Sequence, residues 1–360
     1  MVNQMSDFFM GRSSVTSRIE NVDSLEFPTL TFCMTPSQKT SVAEKYGFTE
    51  HFDIASKEVP NTTYGERMTH LSYHLNKDYE IHLNMKNTTT YQNGSEMVKL
   101  KEGHITLGGV NLEVRSIKGL HLGTCTTIKP MFQVTYVPII MFLKIRLNPE
   151  LSESDKPEKF RLYLTGNKTW HGVTTVDWPQ FKPSLVEFDF KENSSDMYYL
   201  QLTSILHLYD EGVESTEDCW FEEIMGSNCT SKCTFGSFVE LPTCKTTQEV
   251  RCIRGLGESG VYSKCSKKKR GLSFNIERYH YKKYADADWI SLDIGIYEMT
   301  KEIREEVDVI TMPELIGSVG GSLGMFFGFS ISSYVLVLID RVCKQILERN
   351  SGISSNIINH

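Results

Sequence analysis

The sequence predicts an α+β protein, a large disulfide-rich extracellular domain built mostly of strands and followed by one C-terminal transmembrane helix. Three observations predict it. Eight of the nine cysteines and six Asn-x-Ser/Thr sequons all precede one uncharged run of 25 residues, Leu315 to Ile339. Stretches rich in β-branched and aromatic residues recur before that run. A chain of 360 residues can also hold more than one core.

The first 26 residues contain no secretory signal peptide. A domain that must cross the membrane ahead of its only apolar span therefore implies an upstream transmembrane helix absent from this sequence. Residues 39–56 (KTSVAEKYGFTEHFDIAS) read as a helix. Strands are expected over 104–115, 133–147, 160–164, 184–190, 197–206 and 289–299. Within the second of these, VPIIMFL (137–143) is too short to span a bilayer and runs into Lys144, so it reads as core. Residues 84–96 and 148–159 read as exposed loops.

Cys219, Cys229, Cys233, Cys244, Cys252 and Cys265 fall within 47 residues, a density typical of disulfide scaffolds. Cys33 and Cys125 stand alone upstream, and Cys343 lies beyond the apolar run. Cys229-Thr-Ser-Lys-Cys233 also resembles half of a zinc knuckle. The sequons at Asn61, Asn87, Asn93, Asn167, Asn193 and Asn228 share the side of the eight cysteines, which favours an oxidising compartment and disulfides.

As a helix, residues 315–339 would be ~37 Å long, enough for a ~30 Å hydrocarbon core. A buried core helix is the competing reading. Arg341, Lys344 and Arg349 follow the run, placing the C-terminus in the cytoplasm, while the acidic KEIREEVDVITMPE precedes it outside. The divisions are thus 1–26 as a linker, 27–314 as the extracellular domain, 315–340 as the membrane helix and 341–360 as a cytoplasmic tail.

Net charge is −7, which argues against nucleic-acid binding. No enzyme constellation stands out. His70 and His74 have helical spacing for two metal ligands but lack the glutamate of a zinc protease, and surface or structural histidines explain them. No phosphate loop follows a strand, and no cofactor is implied.

Gly317, Gly321, Gly324 and Gly328 lie on one helical face. Small residues there suit close helix packing in a single-pass protein, or a crowded pore in which Gly328-Phe329-Ser330 offers carbonyls and a hydroxyl to a dehydrating cation. Spacing leaves both open. Glu302, Glu305, Glu306, Asp308 and Glu314 crowd the approach, offset by Lys301 and Arg304. Repeated in an oligomer they would concentrate cations, and in one chain they are a solvated face. DEGVESTED (210–218) and KKKR (267–270) would meet if Cys219 and Cys265 were bonded. KKKR also suits a protease, and a plain exposed loop explains it too.

GGSLGMFFGFS (320–330) resembles the second membrane helix of the degenerin/epithelial sodium channel family, whose Gly-x-Ser triplet matches Gly328-Phe329-Ser330. FPTLTFC (27–33) is similar to the family's segment after its first membrane helix. Gly-Thr-Cys125-Thr-Thr, the cysteine cluster and ISLDIGIYEMTKEIREE fall between them in the family's order. The resemblance covers residues 8–340 and accounts for the missing helix. It implies a β-sheet palm with helical finger and thumb, the thumb cysteines at 219–265, and a homo- or hetero-trimer in the plasma membrane. It further implies an amiloride-sensitive channel for permeant Na+. Gly328, Phe329 and Ser330 would be the selectivity filter, and Gly317, Ser318, Gly320 and Gly321 the gate. The implied disulfides are Cys33–Cys125, Cys219–Cys265, Cys229–Cys252 and Cys233–Cys244. Leu336 departs from the family, which places a glutamate there, and Phe329 is bulkier than the usual middle residue. The alternatives are a glycosylated single-pass receptor or adhesion protein and a truncated, non-conducting channel subunit.

Overall fold

The computed structural model describes residues 13–48, 62–87, 97–107, 109–119, 123–166, 184–191, 196–208, 222–233, 241–242, 244–256, 271–281, 288–308, 312–327 and 331–354. It divides into two compact units, residues 17–305 and residues 1–16 with 306–360.

The larger unit is built on two sheets. The first contains β1 (Ser13–Asn21), β4 (Tyr79–Asn87), β5 (Val98–Lys99), β10 (Ile139–Leu147), β13 (Met197–Leu208), β14 (Gly271–Tyr281), β15 (Ile290–Ile296) and β16 (Thr300–Asp308). Its order is β1-β16-β13-β15-β10-β4-β5, with β14 paired to β13. The second runs β12-β11-β3-β8-β7-β6, from β3 (Thr29–Thr35), β6 (Gly103–Leu107), β7 (Val110–Gly119), β8 (Gly123–Pro130), β11 (Lys159–Thr165) and β12 (Ser184–Asp189). β2 (Leu25–Glu26) and β9 (Gln133–Val134) form a short ribbon.

Pattern follows position. β10 alternates buried with half-buried residues, as a strand with one core face should. β15 (ISLDIGI) is buried at every position, because it lies inside the sheet between antiparallel β10 and parallel β13. The two sheets share one hydrophobic core. Phe32, Phe160 and Phe188 form an aromatic row on the second sheet, with centroids 6.2 Å and 4.9 Å apart. Phe188 then meets Tyr198 of the first sheet edge-on at 4.9 Å. The Arg278 guanidinium lies over both rings, at 4.8 Å and 4.5 Å. A second tie is polar, Tyr79 OH to Thr126 Oγ1 at 2.6 Å.

Several boundaries differ from expectation. The strand expected over 104–115 is a hairpin of β6 and β7, turned near Gly109, whose φ of +81° suits glycine. The helix expected over 39–56 is α1 (Thr40–Lys45) and stops early. Gly47 has φ +69°; its N–H donates to the Glu44 carbonyl and that of Phe48 to Ala43, a Schellman stop. Residues 84–87, expected to be loop, complete β4, because the full length of β10 pairs with them. Residues 49–56 and 88–96 lie outside the described residues.

Further helices among the described residues are α2 (Tyr64–Leu71), α3 (Thr247–Leu256), α4 (Met312–Phe327) and α5 (Ile331–Ser354). The single helix expected over 315–339 is thus described as two, α4 and α5. Residues 328–330 between them lie outside the described residues. Among the described residues no helix is long and apolar enough to cross a membrane. α4 spans 16 residues, ~24 Å, and α5 carries Asp340, Arg341, Lys344, Glu348 and Arg349 from its tenth residue onward.

Phe160 is fully buried at the centre of the aromatic row. Phe160→Ala is expected to lower unfolding free energy by ~3–5 kcal/mol, read as a shifted urea midpoint with unchanged slope.

Candidate pore segment and its approach

The glycines of α4 are set on a helix that leaves them bare. A Cβ built on Gly317, Gly320 or Gly321 would meet nothing within 4 Å. The described structure of this chain therefore gives no steric reason for glycine at these three positions. Ser318 and Ser322 lie one turn apart, and the Ser322 hydroxyl donates to the Ser318 carbonyl at 2.7 Å. α5 continues with Tyr334, Val335, Leu336, Val337, Leu338 and Ile339, six consecutive apolar side chains that are all exposed. Six successive residues at 100° intervals occupy every face of a helix. Leu336, where a glutamate was expected from the resemblance, is 65% exposed. Asp340 pairs with Lys344 at 3.0 Å one turn below. Gly328, Phe329 and Ser330 lie outside the described residues.

The approach is less acidic than its sequence suggests. Glu302 accepts from Arg304 Nε at 2.8 Å on β16. Glu305 pairs with Arg18 of β1 at 2.7 Å, and Arg18 also holds Glu20 at 2.8 Å. Nothing in the local sequence announces Arg18, because the contact spans 287 positions and depends on sheet order. The side chains of Glu306, Asp308 and Glu314 lie outside the described residues. His207 was also missed. It sits in parallel register with Arg304, its Nε2 2.7 Å from Ser273 Oγ, and burial first and Arg304 second lower its pKa.

The cysteine-rich region is tied covalently. Cys229 is bonded to Cys252 and Cys233 to Cys244, so those sulfurs are in disulfides rather than a metal site. Cys33 is bonded to Cys125, linking β3 to β8 across 92 positions; in the chain-entropy model such a loop contributes ~4–5 kcal/mol. Gly123, in the Gly-Thr-Cys motif, has φ +67°, and a Cβ there would lie 2.6 Å from the Ser37 carbonyl oxygen. Cys219 and Cys265, the 210–218 and 267–270 charge runs, and Asn61, Asn93, Asn167 and Asn193 lie outside the described residues. Asn87 ends β4, and Asn228 is exposed beside Cys229. Cys343 is free and exposed.

A capping box starts α3. Glu249 Oε2 accepts the Thr246 and Lys245 backbone N–H groups at 2.9 and 2.7 Å, and Thr246 Oγ1 accepts from Glu249 N at 3.2 Å. Ser231 Oγ donates to Glu249 Oε1 at 2.7 Å, fastening the loop between Cys229 and Cys233 to the helix. The Thr-x-x-Glu spacing is the local signal that went unread for this helix, and Thr63-x-x-Glu66 is the same unread signal for α2.

Residues 189–338 match the family model described as amiloride-sensitive sodium channel. Over these residues the chain is similar to the amiloride-sensitive sodium channel family. The match takes in the cysteine cluster, β13 to β16, α4 and the Gly-Phe-Ser triplet. It does not reach FPTLTFC or the Cys33–Cys125 pair. No curated protein sequence matches the chain. Among solved structures, a proton-activated chloride channel aligns at 8% identity with a TM-score of 0.40, over 95% of this chain and 91% of its own. Erv41p aligns at 8% identity and 0.26, over 82% and 100%. Scores this low carry no inference about function.

The Thr246 N–H, the Ser231 hydroxyl and the Lys245 N–H hold the Glu249 carboxyl below its ordinary 4.5. A depressed folded-state pKa means that its stabilisation is complete above the unfolded value and is lost as pH falls through the folded one. Amide exchange in α3 is expected to accelerate as pH drops below about 4.5, beyond the intrinsic pH effect. Glu249→Gln, which keeps an acceptor oxygen for the cap but cannot titrate, should lose that acid dependence.

Proposed function

We propose that the chain is a subunit of a trimeric, sodium-selective, amiloride-sensitive channel of the plasma membrane. The observation that carries this reading is the bare apolar exterior of α5 beside the bare glycine face of α4. Side chains apolar on every face suit hydrocarbon, and glycines that nothing in the described chain requires suit the close approach of other helices. Three symmetric copies would bring three such faces to one axis.

In this reading residues 315–340 cross the bilayer, 27–314 are extracellular with the thumb at 219–265, and 341–360 are cytoplasmic. Residues 1–26 link to a first membrane helix upstream. Gly328, Phe329 and Ser330 form the filter, where carbonyls and the Ser330 hydroxyl replace sodium's water. Gly317, Ser318, Gly320 and Gly321 line the gate. Because Glu302 and Glu305 are matched by Arg304 and Arg18, Glu306, Asp308 and Glu314 carry most of the attraction for cations. The sequons would be glycosylated, and the fourth disulfide would join Cys219 to Cys265. Leu336 leaves the inner mouth without the usual acid, which lowers conductance.

The test is current in cells expressing the chain behind an upstream membrane helix, alone and with related subunits. Expected are inward sodium current blocked by amiloride, trimers on crosslinking, and a several-fold lower sodium-over-potassium preference in Ser330→Ala. Monomers or dimers with no current would establish a single-pass receptor or adhesion protein instead. Trimers that suppress a partner's current would establish a non-conducting subunit. An unchanged ion preference in a conducting Ser330→Ala channel would remove the filter assignment.

A further inference from the structure

An open cleft of about 490 Å³ lies against α1, α2 and the turn after α2, within the larger unit. Its volume is that of a small-molecule site. The wall carries Lys39, Lys45, Lys77, His70, His74 and Tyr46.

The charges around it are unevenly committed. Lys39 is buried and closed in an ion pair, its Nζ 2.8 Å from Asp78 Oδ1, while Asp78 Oδ2 accepts the His74 backbone N–H at 2.8 Å. That pair adds no net charge. Two other acids on surrounding elements are held by hydrogen bonds outside the wall, though Asp155 still feels Lys39 and Glu66 still feels His70. Asp155 accepts from Ser41 N and Oγ at 2.8 and 2.6 Å, and Glu66 from Thr63 N and Oγ1 at 2.7 and 2.9 Å. Glu44 of α1 is not part of the wall. Lys45 and Lys77 have no ion-pair partner among the described residues and are both exposed at the cleft.

The wall between them is set by hydrogen bonds. Tyr46 OH lies 2.8 Å from His70 Nδ1 with the two rings nearly parallel, at 6.4 Å and 5°. His74 Nε2 donates to the Thr69 carbonyl at 2.6 Å, which leaves its Nδ1 unspent in that contact. A concave surface therefore presents two ammonium groups with no ion-pair partner among the described residues, beside two imidazoles each held by one hydrogen bond. Among the described residues, Asp78 is neutralised by Lys39, while Asp155 and Glu66 act on the wall only through Lys39 and His70.

We propose that this cleft binds a small polyvalent oxyanion bearing carboxylate or phosphate groups, with Lys45 and Lys77 as its charge partners. Concave placement raises the potential that two lysines produce above what a flat surface gives. With its Nδ1 accepting from the Tyr46 hydroxyl, His70 would add its Nε2 N–H as a donor to the same ligand. The site is separate from the pore segment and does not depend on the channel reading.

The experiment is thermal unfolding of the purified full chain in detergent, titrated with citrate and with inorganic phosphate at constant ionic strength set by chloride. Wild type is expected to show a saturable rise in midpoint. The Lys45→Gln/Lys77→Gln double variant should keep the unliganded midpoint and bind about tenfold more weakly, as loss of charge-assisted contacts implies. Lys101→Gln, an exposed lysine outside the wall, should bind as wild type does. Saturation by citrate alone assigns a polycarboxylate, and by phosphate alone a phosphate-bearing ligand. A response that does not saturate, or equal affinity in the double variant, overturns the proposal.

Discussion

The seam between the two sheets is the constraint on which the larger unit rests. Phe188 and Tyr198 meet across it, with Phe160 behind and Arg278 laid over both rings. β13, which supplies Tyr198, pairs with β14, β15 and β16, so the ring that closes the seam also anchors the hub of the first sheet. Any shift of β13 along its axis would move Tyr198 away from Phe188 and shift the register of β16, the strand that carries Glu302, Arg304 and Glu305. Aromatic packing and the electrostatics of the approach are thereby coupled through one strand.

Covalent and polar ties reinforce that arrangement where hydrophobic burial is thin. The second sheet is stapled by Cys33–Cys125, and Gly123 beside it lets the backbone pass close to Ser37. The cysteine-rich region has few buried apolar residues, among them Ile224, Val250 and Ile253. There two disulfides and the Glu249 hydrogen-bond cluster hold α3 against the loop at 229–233. Such segments rely on cross-links because their cores are too small to offset chain entropy.

Much of the larger unit was legible because it alternates. β10, β11, β12 and β13 were read from β-branched and aromatic periodicity to within a few residues. β3 and β8 were noticed as family-like sequence but not as strands, since continuous burial erases the two-residue period. β14, β1 and β16 are polar and mixed, and only their partners make them strands. α2 and α3 escaped because their apolar faces are short, although each begins with a capping box. Of the site, the acids and glycines were visible by composition. Arg18 and His207 were not, because sheet order brings them to β16 and no local pattern encodes sheet order.

The C-terminal helices pose the remaining energetic question. Fully burying a large apolar side chain stabilises by ~1.5–3 kcal/mol, so leaving six of them half-covered on α5 forgoes on the order of 5–10 kcal/mol. That is comparable to the whole stability of an ordinary domain. A surface of this kind is costly to leave in water. A second soluble domain would cover one face, but Tyr334 to Ile339 point to all of them. Under the proposed channel reading, a bilayer would cover every face at once and leave the glycine side of α4 for helices of the same kind. In that same reading the charges that begin at Asp340 would mark where the cover ends, with the exposed Asp340–Lys344 pair on the water side.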